Sequence, residues 1–196
     1  MVSITQNQKE ALLVLLKDYT NFYNANSLSK VIQISHVGAQ KILKGFKEED
    51  ITKTQNIGKS IVHRANLEND YTQKLIKFLL ADEANKFTRW KEEFKGLSTE
   101  NSIVIIYGSA IKNYKQANDI DIMIITAQPE FKLIDEEIKN VQKLLPKKIH
   151  AIKLTKKDFL ENVKNKNKAV VDIVKNAVVL YGEDKYVEVM KSVAGF

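Results

Sequence analysis

An α+β fold is the class this sequence predicts, and three observations predict it. Residues 1–66 hold three short amphipathic stretches followed by two strand-like runs. Residues 67–96 keep apolar side chains at helical spacing, which marks a helical linker. Residues 97–196 alternate strand-like and helix-like segments, the pattern of an α/β domain.

In the first part, Gln8 to Tyr19 sets Ala11, Leu12, Leu15, Leu16 and Tyr19 on one helical face. Asn24-Ala25-Asn26 signals a turn, and Ser27 is expected to cap a short helix through Leu28, Val31 and Ile32. Ser35-His36 opens a third helix with Val37, Ile42 and Phe46 facing inward and Gln40, Lys41 and Lys44 facing out. Gly38 suits a helix start better than a helix interior, where glycine costs about 0.5–1 kcal/mol against alanine. Ile51 to Thr54 and Lys59 to His63 read as strands around a polar turn containing Asn56 and Gly58. In the linker the expected packing stripe is Tyr71, Leu75, Phe78 and Leu79, then Phe87, Trp90 and Phe94, and Gly96 to Glu100 breaks it.

The last part is organised around Ile103 to Thr126, IVIIYGSAIKNYKQANDIDIMIIT. Ile103 to Tyr107 has the length and β-branched content of a buried strand. Gly108 breaks it and allows a positive φ or close approach of a ligand, and Ser109 suits a helix N-cap. A polar segment of about two helical turns is expected next, its N-terminal N–H groups available to phosphate. Ile120 to Ile125 then alternates as a strand, and Asp119 and Asp121, two apart, project from one face. Two neighbouring carboxylates repel unless a cation such as Mg²⁺ sits between them. A helix with Phe131, Ile134, Ile138, Val141 and Leu145 inward, stopped by Pro146, is followed by the strand Ile149 to Leu154. Thr155 to Asp158 forms a capping box for a further helix, and a helix around Val170 to Ala177 and the run Val178 to Tyr181 close the pattern.

An apolar strand, Gly108-Ser109, nine residues and Asp119-Ile120-Asp121 in a second strand together resemble the signature of the DNA polymerase beta-like nucleotidyltransferases, most of all their minimal prokaryotic domains. The resemblance implies a mixed sheet and transfer of a nucleoside monophosphate from an NTP to a hydroxyl. It implies Mg²⁺ or Mn²⁺ on the catalytic Asp119 and Asp121, with Gly108, Ser109 and Lys112 binding the nucleotide. Lys112 stands where many relatives carry Arg, and Asn118 where they carry Ser. Active relatives add a third carboxylate on the later strand, but here that strand is IHAIKL, so His150 or Lys153 stands in its place and His150 is the candidate base. Strand alternation lets only one of the two face the aspartates.

The three helices and hairpin resemble a winged helix-turn-helix domain, which implies contact with double-stranded DNA. The reading face would be Ser35, His36, Gly38, Gln40, Lys41 and Lys44, with Lys53, Lys59 and Arg64 on the wing. Use of this domain for protein association or homodimerisation is the other reading.

Composition sets outer bounds. Of 196 residues, 44% are hydrophobic and 28% charged, ordinary for a packed globular chain. The absence of cysteine removes disulfides and thiolate catalysis and fits a reducing, cytoplasmic setting. No apolar run approaches the ~18 residues of a membrane span, and Met1 to Thr5 lacks the features of a signal peptide. The net charge of +7 favours a polyanionic partner. Nine lysines against Asp158 and Glu161 lie between Lys143 and Lys168, and seven basic residues between Lys30 and Arg64. Three functions remain open: a nucleotidyltransferase acting on a protein, small molecule or nucleic acid, a nucleotide-binding DNA-binding regulator, or a toxin–antitoxin-like interaction module.

Overall fold

The computed structural model describes residues 4–193, so most of the expectation for Met1 to Thr5 falls outside the described residues. The backbone gathers into two compact units, residues 4–79 with 190–193 and residues 80–189. No helix among the described residues is long and apolar enough to cross a membrane.

In the first unit, α1 (Gln6–Lys17) starts at a capping box in which Thr5 and Gln8 satisfy each other's backbone N–H groups. It therefore begins and ends two residues earlier than its apolar spacing suggests. α2 (Ala25–Val31) is capped by Asn24, with the Ser27 hydroxyl accepting the Asn24 N–H in return, so the expected cap at Ser27 is corrected to Asn24. α3 (His36–Glu48) does begin at Ser35, whose hydroxyl accepts the Gly38 N–H at 3.1 Å. Its buried face is Ala39, Leu43 and Phe46, while Val37 is exposed and Ile42 half-buried, a rotation of the expected stripe. β1 (Thr52–Ile57) and β2 (Ser60–Ala65) pair antiparallel around Gly58, which takes φ +58°. Tyr23, between α1 and α2, adds a bridge to His63 of β2. α4 (Asp70–Ala84) buries Thr72, Ile76, Leu79 and Leu80, leaving Tyr71 and Phe78 of the expected stripe exposed.

The second unit is built on a four-stranded mixed sheet of order β5-β4-β3-β6. Its strands are β3 (Ile103–Tyr107), β4 (Asp119–Ile125), β5 (Lys148–Leu154) and β6 (Val178–Tyr181). β3 runs antiparallel to β4 and β6, whereas β4 and β5 are parallel. The parallel pair needs a crossover, supplied by α6 (Phe131–Gln142). α5 (Thr88–Glu93) contributes Trp90, which stacks on Phe94 at 5.9 Å between ring centroids. Both rings join Val104, Ile106, Ile120, Ile122, Ile124, Ile134 and Val141 in one core. α7 (Lys156–Lys164) opens on the expected Thr155/Asp158 capping box. α8 (Lys168–Asn176) precedes β6, and α9 (Glu183–Lys191), unread in the sequence, follows it.

Candidate active site

β4 starts at Asp119, so alternation turns Asp119, Asp121, Met123 and Ile125 to one face and Ile120, Ile122 and Ile124 to the other. Ile120 and Ile122 are fully buried, which fixes the register and leaves both carboxylates half-buried at the strand's beginning. On one side, Tyr107 pairs with Asp121, and the next residue, Gly108, takes φ +80°. A Cβ at Gly108 would lie 2.3 Å from Asp121 Oδ2, so this glycine is needed both for its backbone and for the carboxylate beside it. On the other side, the parallel register sets His150 opposite Asp121. His150 Nδ1 lies 3.1 Å from Asp119 Oδ2 and 3.8 Å from Asp121 Oδ1.

This resolves which residue of IHAIKL faces the aspartates. Lys153 instead reaches Asp135 of α6 at 2.5 Å and takes no part in the cluster. Burial, and next the charge of Asp119, push the Asp121 carboxyl above its usual range, with His150 opposing the shift. Burial and the two carboxylates push the Tyr107 hydroxyl up to about 12. A divalent cation beside Asp121 would offset both the burial of its charge and the repulsion from Asp119. Two carboxylates and an imidazole are a fitting donor set, and ligand atoms of Asp119, Asp121 and His150 lie within 4.8 Å of one another.

The segment between Gly108 and Asp119 departs from expectation. No helix follows Ser109. Its carbonyl accepts N–H groups of Lys112 and Asn113 at 3.1 and 2.9 Å, and that single turn is not continued. The Asn113 side chain takes the Lys115 N–H at 3.2 Å, an Asx turn that diverts the backbone from helix. Ala110 and Ala117 are buried and pin the two ends, while Ser109 and Lys112 stay exposed. Lys147 holds the loop from outside, donating to the carbonyls of Tyr114, Lys115 and Ala117. Its Nζ also lies 4.6 Å from the Tyr114 ring centroid, and Arg89 covers the same ring at 4.1 Å. Nothing in the sequence distinguishes Lys147 from Lys148 beside it, so its role is visible only in the fold.

Residues 87–180 match the family model of the nucleotidyltransferase domain. No curated protein and no solved structure matches the chain. The matched span takes in α5, the Gly108-Ser109 turn, both aspartates and His150.

The residues proposed for DNA lie together in part. His36, Gln40 and Lys44, spaced one helical turn apart on α3, line a cavity of about 680 Å³ with Lys47 and, from the hairpin, Lys59 to Ile61. Lys41 and Lys53 are exposed, Lys44 is within 3.7 Å of Glu48, and Ser35 is engaged as the helix cap. Arg64 is set apart from this group: it is half-buried with its guanidinium 4.2 Å from the Phe22 ring centroid, and burial lowers its pKa.

Proposed function

We propose that the protein transfers a nucleoside monophosphate from an NTP to a hydroxyl acceptor in a divalent-metal-dependent reaction. The observation that carries this reading is the gathering of Asp119, Asp121 and His150 beside the Gly108-Ser109 turn, within a span that matches a nucleotidyltransferase domain. Asp119 and Asp121 would hold the ion, which supplies neutralisation of the triphosphate and of charge developing on its oxygens. Ser109 and Lys112, both exposed, would contact the phosphates, Lys112 as a point charge. The acceptor oxygen forms a bond to the α-phosphorus, the bond from that phosphorus to the bridging oxygen breaks, and pyrophosphate leaves. The acceptor proton passes to a base, for which His150 is one candidate and solvent another.

Titration calorimetry with NTP, with and without Mg²⁺ or Mn²⁺, tests the binding half. Asp119→Asn with Asp121→Asn should abolish metal-dependent binding while circular dichroism stays unchanged. Equal NTP affinity in the double variant overturns the site. Incubation of α-labelled NTPs with protein, metal and cell extract tests turnover: label on a macromolecule, lost in Asp121→Asn, supports the enzyme. Tight binding without transfer supports the second reading, a nucleotide-binding regulator, which the missing third carboxylate favours.

The first unit, in this reading, is a winged helix-turn-helix domain that binds double-stranded DNA through α3 and the hairpin. The basic cavity between them supports it, with His36, Gln40, Lys41, Lys44, Lys53 and Lys59 as the contact set. Affinity of the full chain for duplex DNA, read by fluorescence anisotropy, should fall steeply with salt as counterions are released. Lys41→Glu with Lys44→Glu should abolish it. Binding that is absent at low salt, or untouched by those changes, makes the unit a protein-association module.

A further inference from the structure

We propose that His150 is a metal ligand, and that the site takes a first-row transition-metal dication such as Mn²⁺ in preference to Mg²⁺. The proposal rests on the nucleotidyltransfer reading of the site and deepens it by naming the ion and the role of His150.

In a parallel pair, residues opposite each other share a face, so β5 presents His150 to the strip that carries Asp119 and Asp121. The ring then turns Nδ1 toward both carboxylates, 3.1 Å from one and 3.8 Å from the other. Adjacent donors on an octahedral ion with bonds of about 2.1 Å lie about 3 Å apart, so Asp119 Oδ2 and His150 Nδ1 already sit at the separation of neighbouring ligands. Among the described residues this is the group of three ligand-type side chains gathered at this range. The His150 side chain is 47% exposed, so an ion can reach it without displacing the core.

Donor type decides the ion. Mg²⁺ favours oxygen ligands and dehydrates reluctantly, so an imidazole gains it little. Transition dications accept imidazole nitrogen, and their affinity for such a site rises from Mn²⁺ through Co²⁺. A nitrogen that ligates through Nδ1 has no lone pair there to accept the acceptor's proton. His150 therefore completes the metal site in place of the third acid, and deprotonation falls to solvent or substrate.

Mn²⁺ binding to the full chain, without nucleotide, is followed by the loss of the free-ion electron paramagnetic resonance signal. Electron spin echo modulation on the bound ion then detects a directly coordinated nitrogen. The wild type should bind Mn²⁺ more tightly than Mg²⁺ and show the nitrogen coupling. Removing a second-sphere partner typically weakens metal binding ~10–100-fold, so removing a direct ligand in His150→Ala should cost at least tenfold for Mn²⁺ and abolish the coupling. Mg²⁺ affinity should change far less. His150→Asp, which supplies an oxygen donor instead, should raise Mg²⁺ affinity above that of the wild type and show no nitrogen. Bound Mn²⁺ without nitrogen coupling in the wild type, or an unchanged Mn²⁺ affinity in folded His150→Ala, overturns the ligand role alone. Failure of the wild type to bind either ion overturns this proposal and the metal-dependent reading together.

Discussion

Gly108→Ala is the perturbation that separates the two jobs of the β3–β4 corner. Gly108 sits at φ +80°, a region that costs an L-residue about 1–2 kcal/mol. The added methyl would also lie 2.3 Å from Asp121 Oδ2, well inside contact distance, and the flexible partner is the carboxylate. Asp121 should therefore leave its rotamer, at a further cost of about 0.5–1.5 kcal/mol, and move away from Asp119 and His150. The sum is about 1.5–3.5 kcal/mol, and each kcal/mol shifts the melting temperature by roughly 2–4 °C for a chain of this length. Thermal unfolding by circular dichroism measures the first effect, and calorimetric titration with Mn²⁺ and Mg²⁺ the second. Gly45→Ala serves as the control: a Cβ there meets nothing within 4 Å in the helix α3, and alanine should stabilise by about 0.5–1 kcal/mol. A Gly108→Ala protein that melts with the wild type and binds metal equally well refutes the reasoning about this corner.

Two further outcomes follow from neighbouring features. Lys147→Met keeps the aliphatic stem but removes the donor to the Tyr114, Lys115 and Ala117 carbonyls, and should destabilise by about 1–3 kcal/mol, with Lys147→Arg recovering part of the loss in a urea titration. The same change should weaken NTP binding more than metal binding, because the loop rather than the carboxylates is released. His63 is buried, its Nδ1 3.2 Å from the Thr52 hydroxyl, and burial followed by the charge of Lys47 lowers its pKa. The unfolded chain then takes up the proton first as pH falls, so stability is full above the ordinary histidine value of about 6.5 and declines below it. Melting temperatures of wild type and His63→Gln measured across that range should differ in slope, and parallel curves would count against the assignment.

Legibility in the sequence followed the density of the apolar signal. β3 and β4 were visible because Ile103 to Ile106 is an unbroken β-branched run and Asp119 to Ile122 alternates polar and apolar before an apolar end. Ser35 and Thr155 were visible as caps because a hydroxyl directly before an amphipathic run has one main use. The cap at Asn24 was missed because both residues of its box are cap formers, and sequence alone does not say which leads. The helix expected after Ser109 failed because Asn113 offered the backbone a competing turn and Lys147, distant in sequence, fixed the loop that resulted. Val37 and Phe78 are apolar yet exposed, since α3 and α4 carry more apolar residues than one buried stripe can hold.

The parallel pairing of β4 with β5 has a consequence for the order of folding. β3 and β4 are neighbours in sequence, joined by residues 108–118, and can close as an antiparallel pair before β5 docks, bringing Gly108 to Asp121. His150 arrives only after α6 has carried the chain across and β5 has docked, a non-local step that closes slowly. A refolding molecule thus holds its two acids long before its imidazole. An ion held by all three donors, as proposed above, would stabilise only the finished crossover and so would draw population away from chains that stop at the hairpin.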